Sequence, residues 1–138
     1  RSSQMSRNMV TRRLGNLLIL RQNTQPPSDE EWDECLNLLS TDVEEVQVLV
    51  ITDGGGPSPE QRRRLDQTLN GSPVRVAVVS ESVRIRFIVS SVAFLTRRIK
   101  SFSETEYTEA LAHLELDLDQ RRLAQRHVRE MTALIERT

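Results

Sequence analysis

Three consecutive glycines, in the segment ITDGGGPSPEQRRRL at residues 51–65, are the part of the sequence that most resembles a chemical site. They follow an apolar run and precede a helix-like stretch, as in loops whose backbone amides hold phosphate. No lysine follows the glycines, and Pro59 stands where the dinucleotide-binding pattern G-x-G-x-x-G has its third glycine. Pro57 and Pro59 also lack amide donors. The segment therefore favours a structural turn, with a ligand site as the open alternative.

The other reactive side chains do not form a recognisable catalytic or metal-binding set. Cys35 falls in an apolar helical stripe, while His113 and His127 stand far from it in the sequence. Asp53, at the end of an apolar run, is the best single candidate for catalysis or metal binding, but it has no second acid beside it. We therefore expect no catalytic residues, no metal site and no cofactor, and a protein that is not an enzyme.

Composition and charge exclude several classes of partner. The 138 residues suit one domain, and the formal net charge of -1 gives no overall attraction to polyanions. Arg62, Arg63 and Arg64 span nearly a full helical turn, so they cannot all face one nucleic-acid backbone. No apolar run approaches the roughly 18 residues of a membrane span, and the N-terminal residues lack a signal-peptide core. We expect no nucleic acid, no membrane and a cytoplasmic location.

The sequence predicts a β-hairpin followed by alternating helices and strands. Gly15-Asn16 separates two strand-like runs and is typical of a tight hairpin turn. Three later segments carry a serine three residues before a glutamate or glutamine, the spacing of a capping box at a helix start. The predicted strands are 9–14, 17–21, 46–51, 74–79 and 99–102, and the predicted helices are 29–39, the segment after Ser58, 83–95, the segment after Ser103, and 119–137.

The segment 83–95 fits two kinds of secondary structure. Its apolar residues alternate from Val83 to Val89 as in a strand, but Ile85, Val89 and Leu95 also belong to a helical stripe. Parallel pairing of the strands 74–79 and 99–102 requires a crossover between them. That requirement predicts a helix.

Four stretches carry a resemblance to a known family: RLGNLLILRQNTQPPSDEEW (13–32), VLVITDGGGPSPEQRRRL (48–65), VRVAVVSESVRIRFIVSSVAFL (74–95) and IKSFSETEYTEALAHLEL (99–116). With the order of elements, they resemble the STAS domains, the SpoIIAA-like or anti-sigma-factor-antagonist-like group, and particularly uncharacterised myxobacterial members. The resemblance covers about residues 9–116. Residues 1–8 are then a disordered extension or an expression remnant, and residues 117–138 an amphipathic C-terminal helix.

The resemblance implies an α/β fold and a role in bacterial signalling. The implied architecture is a mixed four- to five-stranded sheet with an N-terminal hairpin and helices mainly on one face, to which the C-terminal helix is an addition. In the family, a partner kinase phosphorylates a serine at the start of the helix after the central strand, and the added charge repels that partner. Here Gly54-Gly55-Gly56 replace the Asp-Ser pair. We predict the scaffold without this switch, with Ser58 as the one candidate phosphosite.

Two functions remain open at this stage. The first is a non-enzymatic regulatory domain that binds a protein partner, a kinase or another signalling protein, through residues 53–64 and the adjoining helix 83–97. The second is a domain that senses a small ligand, a nucleotide or lipid, at the carboxyl ends of the strands. The candidate contact residues are Asp53, Gly54, Gly55, Gly56, Ser58, Arg62, Ser80 and Arg84.

The C-terminal helix carries an apolar stripe of Val128, Met131 and Ile135. Such a stripe must be covered, either by the sheet of the same chain or by a second copy. We expect it to drive self-association, giving a homodimer.

Overall fold

The computed structural model of the protein describes residues 7–41, 46–72, 74–93 and 98–136, with backbone only for 91–93. The described strands form one five-stranded sheet in the order β1-β2-β3-β4-β5. β1 and β2 are antiparallel, and every later neighbour pair is parallel. The strands are β1 (Met9–Leu14), β2 (Leu17–Gln22), β3 (Gln47–Thr52), β4 (Arg75–Val79) and β5 (Ile99–Phe102). This mixed sheet with its N-terminal hairpin confirms the predicted fold class.

Five α-helices are described along the chain. They are α1 (Asp29–Ser40), α2 (Pro59–Leu69), α3 (Val83–Ala93), α4 (Tyr107–His113, after a 3₁₀ turn at Glu104–Glu106) and α5 (Leu118–Thr132). The helical interpretation of the segment 83–95 is confirmed as far as Ala93, while Leu95 lies outside the described residues. α5 begins one residue earlier than expected, because Asp117 and Gln120 form a capping box that the sequence analysis missed, and it ends at Thr132 rather than Arg137.

The sheet is covered on both faces. The alternation of side chains along β3 sends Val48 and Val50 to one face and Leu49 and Ile51 to the other. The first face packs against α1, α2 and α3, and the second packs against α4 and α5. Three of the five described helices thus share one face, and the two C-terminal helices cover the opposite one.

The apolar stripe of α5 is covered by the sheet of its own chain. Met131 and Ile135 are buried in the core cluster that contains Leu17, Ile19 and Leu49, and Val128 packs against the same cluster while partly buried. The sheet of the same chain therefore already shields the stripe from water. This removes the reason for expecting self-association through the stripe. Homodimer formation stays a prediction.

The edge strand β1 is fixed to both helical layers by arginines. Arg12 donates from Nη1 to the Glu130 carboxylate of α5 at 2.7 Å. Arg13 donates to the backbone carbonyls of Leu38 and Thr41, at the C-terminal end of α1. These bonds satisfy carbonyl groups that have no partner within the last turn of the helix.

The first described residues are held by α1. Asn8 and Met9 donate their backbone N–H groups to the Glu31 carboxylate, at 2.9 and 3.3 Å. Arg7 makes an ion pair with Glu34 at 2.8 Å. Glu31 therefore serves both the capping box of α1 and the start of β1.

None of the described helices combines the length and the hydropathy that a membrane crossing requires.

The coverage of α5 by its own sheet can be tested by removing side-chain volume. Met131 is 0% exposed and Leu118, on the same helix, is 61% exposed. We expect Met131→Ala to lower the free energy of unfolding by about 2–5 kcal/mol, and Leu118→Ala to change it by less than about 0.5 kcal/mol. Urea denaturation monitored by circular dichroism measures both. Equal losses in the two variants, or a loss that depends on protein concentration, would contradict the intramolecular packing.

Candidate interaction surface at the carboxyl edge of the sheet

The candidate residues gather where β3 and β4 end. Residues 53–58, here called the glycine loop, join β3 to α2, and residues 80–82 join β4 to α3. A Cβ added to Gly54 would lie 3.8 Å from the Cβ of Ser82, and one added to Gly56 would lie 3.7 Å from Cδ1 of Ile85. The start of α3 therefore borders the glycine loop. Parallel strands place their carboxyl ends at one edge of the sheet, which is why these loops meet.

Three backbone amides of the glycine loop are hydrogen-bonded within the chain. Asp53 donates its N–H to the Gln22 carbonyl at 2.9 Å, and Gly55 donates to the Asn23 carbonyl at 2.9 Å. Gly54 donates to the Thr52 hydroxyl at 3.0 Å. Donors that are already paired within the protein are not available to a phosphate. The loop thus has the internal bonding of a structural turn.

Glycine is required at two positions of this loop for different reasons. Gly54 has a φ of +140°, a region that residues with a side chain rarely adopt. A Cβ on Gly55 would lie 2.2 Å from the Gln25 carbonyl oxygen and 2.7 Å from that of Asn23. The backbone of residues 23–25 therefore passes too close to Gly55 for any side chain.

Asp53 is paired with a buried arginine. Its Oδ1 accepts from Nη2 of Arg21 at 3.1 Å, and the Arg21 side chain is only 5% exposed. Arg21 follows Leu17 and Ile19 in the row of β2 side chains that faces α5, and its backbone is in register with Ile51 of β3. The sequence did contain a signal for this pair. Arg21 is a charged residue in an otherwise apolar row, and Asp53 lies two residues after Ile51, the partner of Arg21 in the parallel register. The sequence analysis missed it.

The hydroxyls of the two serines in the β4–α3 loop are also hydrogen-bonded within the chain. Ser80 is 1% exposed, and its hydroxyl donates to the Thr52 carbonyl at 2.8 Å. It also accepts from the Ser82 amide at 3.1 Å, and the Ser82 hydroxyl accepts from the Ile85 amide at 3.3 Å. Ser80 therefore joins the ends of β3 and β4, while Ser82 caps α3.

Ser58 caps α2, as predicted. Its hydroxyl accepts from the Gln61 amide at 3.1 Å, and the Gln61 side chain accepts from the Ser58 amide at 2.9 Å. Gln61 also donates to the Pro27 carbonyl at 2.9 Å, and its own carbonyl accepts from the indole of Trp32 at 2.9 Å. The capping box thereby fixes the start of α2 against the start of α1.

The exposed part of this edge lies on the first turns of α3. Val83 is 78% exposed and Phe87 is 72% exposed, and their spacing of four residues places them on one side of the helix. Arg84, between them, is also exposed. We call Val83, Arg84 and Phe87 the α3 surface. Arg62, on α2, is exposed too, and neither Arg62 nor Arg84 has an ion pair with another described residue.

The sequence analysis named two of the exposed residues at this edge. It assigned Arg62 and Arg84 as contact residues, and both are exposed. It did not assign Val83 and Phe87, which it considered only as members of the strand-like alternation from Val83 to Val89. A signal was present: both fall outside the stripe of Ile85, Ile88 and Val89.

The reactive side chains away from this edge are Cys35, His113 and His127, and each is buried in or bonded to the rest of the fold. Burial raises the pKa of the Cys35 thiol to about 12, so the thiolate needed for nucleophilic attack is scarce near neutral pH. His127 lies 2.9 Å from Nη1 of Arg12, and His113 lies 3.1 Å from the Arg98 carbonyl oxygen. Among the described residues, no group of three or more His, Cys, Asp or Glu side chains is placed to hold a metal ion.

Comparison with known proteins identifies the fold. No family model matches the chain, and no curated protein matches it significantly. A solved structure that is similar is an uncharacterized protein of the DUF3478 family with a SpoIIAA-like fold, from Shewanella loihica PV-4. It has a TM-score of 0.55 and 16% sequence identity, covering 79% of this chain and 93% of that one. The chain therefore has a SpoIIAA-like fold, as the resemblance to STAS domains implied. The likeness to myxobacterial members stays a prediction.

The close approach at Gly55 leads to a test with a neighbouring control. Gly55→Ala forces the backbone of residues 23–25 away, and we expect it to lower the free energy of unfolding by about 1–3 kcal/mol. Gly56 has ordinary contact distances and a φ outside the left-handed region, so Gly56→Ala should change it by less than about 1 kcal/mol. Thermal unfolding measures both. If the two variants are equally stable, the loop does not have the described packing.

Proposed function

We propose that this chain is a non-enzymatic regulatory domain of the bacterial signalling type that binds a protein partner, without the usual phosphorylatable serine. The partner contacts the α3 surface and the adjoining glycine loop. The SpoIIAA-like fold supports a domain of the STAS type. We further propose that the domain acts in the cytoplasm.

The observation that carries the proposal is a contrast between the loops and the helix at this edge. The loop amides of Asp53, Gly54 and Gly55, and the hydroxyl of Ser80, are bonded within the chain. Val83 and Phe87 beside them expose most of their apolar surface. A ligand site usually offers polar groups that converge on a cavity, whereas a protein interface has an apolar centre with a polar rim. The contrast favours a protein interface.

The charge around the α3 surface indicates what the partner presents. Arg84 and Arg86 are exposed on α3, and Arg62 is exposed on α2. Arginine is enriched at protein interfaces because its planar group pairs with carboxylates in fixed geometry. We therefore propose a partner with an apolar contact site bordered by Asp or Glu.

Affinity capture with matched surface variants tests this function. Val83→Ser and Phe87→Ser remove apolar area from the α3 surface, and Leu118→Ser removes exposed apolar area on α5, across the sheet. The four proteins, including the unchanged chain, are used as bait in lysate from the source cells, and bound proteins are quantified by mass spectrometry. We expect one specific protein to be retained by the unchanged chain and Leu118→Ser, and reduced at least about tenfold with the α3 variants, as for a residue worth more than 1.4 kcal/mol.

Two results would overturn the proposal. Equal capture by all four proteins would show that the α3 surface does not make the contact. Absence of any specific protein, together with a small molecule that copurifies with the unchanged chain, would replace the proposal with ligand sensing at the strand ends.

Variants at Ser58 test the absence of a phosphorylation switch. Ser58→Asp keeps a side chain that can cap α2 and adds a negative charge, whereas Ser58→Ala removes the cap at a cost of about 0.5–2 kcal/mol. We expect Ser58→Asp to retain partner capture and Ser58→Ala to be less stable in thermal unfolding. Loss of capture with Ser58→Asp alone would instead indicate the charge-controlled switch of the family.

A further inference from the structure

The last described residues lie at the same edge of the sheet as the glycine loop. Thr132 ends α5, and Glu136 beyond it is hydrogen-bonded to Asn23, the residue that follows β2, at 2.7 Å. Ile135 and Met131 hold this segment to the core, since both are buried. We call residues 132–136 the C-terminal clasp.

The first link from the clasp to the loop is Arg21. Its Nε donates to the Thr132 hydroxyl at 2.9 Å, and its Nη2 donates to Asp53 at 3.1 Å. Its Nη1 donates to the Gln22 carbonyl at 2.7 Å. A single buried guanidinium thus joins the end of α5 to the first residue of the glycine loop. Because Arg21 is 4% exposed, water cannot readily replace a lost partner.

The second link is Asn23. Its side-chain amide donates to the Glu136 carbonyl at 2.7 Å and to Oδ1 of Asn8 at 3.0 Å. Its backbone carbonyl accepts from Gly55 at 2.9 Å. The position of Asn23 therefore determines where the middle of the glycine loop is held, and the clasp is one of the groups that determine the position of Asn23.

We infer that the C-terminal clasp sets the conformation of the glycine loop through Arg21 and Asn23, and thereby regulates the partner site. Lifting the clasp leaves Arg21 without Thr132 and Asn23 without Glu136, so the loop loosens and the partner binds more weakly. By reciprocity, a bound partner holds the clasp in place more firmly. The regulatory part of this inference rests on the proposed function, whereas the structural link does not.

Local hydrogen exchange tests the structural link. Thr132→Val removes the hydroxyl that Arg21 contacts, and Thr132→Ser restores it. Thr68→Val is the matched control, because the Thr68 hydroxyl donates to a helix carbonyl four residues earlier, as the Thr132 hydroxyl does, and is not bonded to Arg21. Amide exchange of Gly55 is measured in the full chain by nuclear magnetic resonance, relative to exchange of Leu49 in the middle of β3. The ratio separates loosening of the loop from a general loss of stability.

We expect Thr132→Val to raise the ratio by about two- to tenfold, the range for loss of one hydrogen bond. Thr132→Ser and Thr68→Val should leave it unchanged. If the ratio is unchanged in Thr132→Val, or is raised equally in Thr68→Val, the structural link between the clasp and the glycine loop is wrong. This conclusion does not depend on the result of partner capture.

Partner capture with the same variants tests the regulatory part. Weaker capture by Thr132→Val alone supports it, and unchanged capture with a raised exchange ratio overturns it while the proposed function stands. If the unchanged chain captures no specific partner, the proposed function fails, and the exchange ratio still decides whether the clasp holds the loop.

Discussion

The approach of Gly55 to the backbone of residues 23–25 is the constraint on which the carboxyl edge of the sheet depends. It lets the Gly55 amide reach the Asn23 carbonyl and places the segment after β2 against the segment after β3. Three loop amides are then bonded within the chain, and the start of α2 is brought to the start of α1, where Gln61 and Trp32 connect the two helices. A side chain at Gly55 would push the backbone of residues 23–25 away and strain these contacts together.

Arg21, at the carboxyl edge of the sheet, is a charged side chain that is buried. Taking a guanidinium out of water is costly unless its donors are paired. Arg21 satisfies this condition with a carboxylate, a hydroxyl and a backbone carbonyl that come from three different elements. An apolar residue could fill the same space, but it would not fix the relative positions of β2, the glycine loop and α5. The hydrogen-bond directions of Arg21 provide that specificity.

Local signals in the sequence were sufficient for most of the fold. Gly15-Asn16 and the serine caps at Ser28 and Ser58 predicted the hairpin and two helix starts, because turn and cap geometry depends on residues adjacent in the chain. The C-terminal end of α5 and its placement on the sheet were not predictable in this way, since they depend on contacts with β1 and β2.

In the candidate site, too, the features that depend on residues distant in the sequence could not be predicted. The internal pairing of the glycine loop depends on residues 22–25, which lie about 30 positions earlier in the sequence, so the glycines alone could not reveal it. The role of Arg21 depends on Thr132, more than 100 positions away. The exposed Val83 and Phe87 were in principle readable from helical periodicity, but only once the segment was assigned as a helix.

The two arginines on β1 have a consequence for the behaviour of the protein at high concentration. β1 is an edge strand, and a long edge with free backbone groups can recruit a strand from another molecule and begin aggregation. Arg12 and Arg13 extend from this strand to α5 and to the end of α1, and they place positive charge beside the outer edge of the described sheet. An incoming strand would have to displace these contacts or accommodate the charge. The residues that fasten the two helical layers to the sheet thus also limit its growth by addition of further strands.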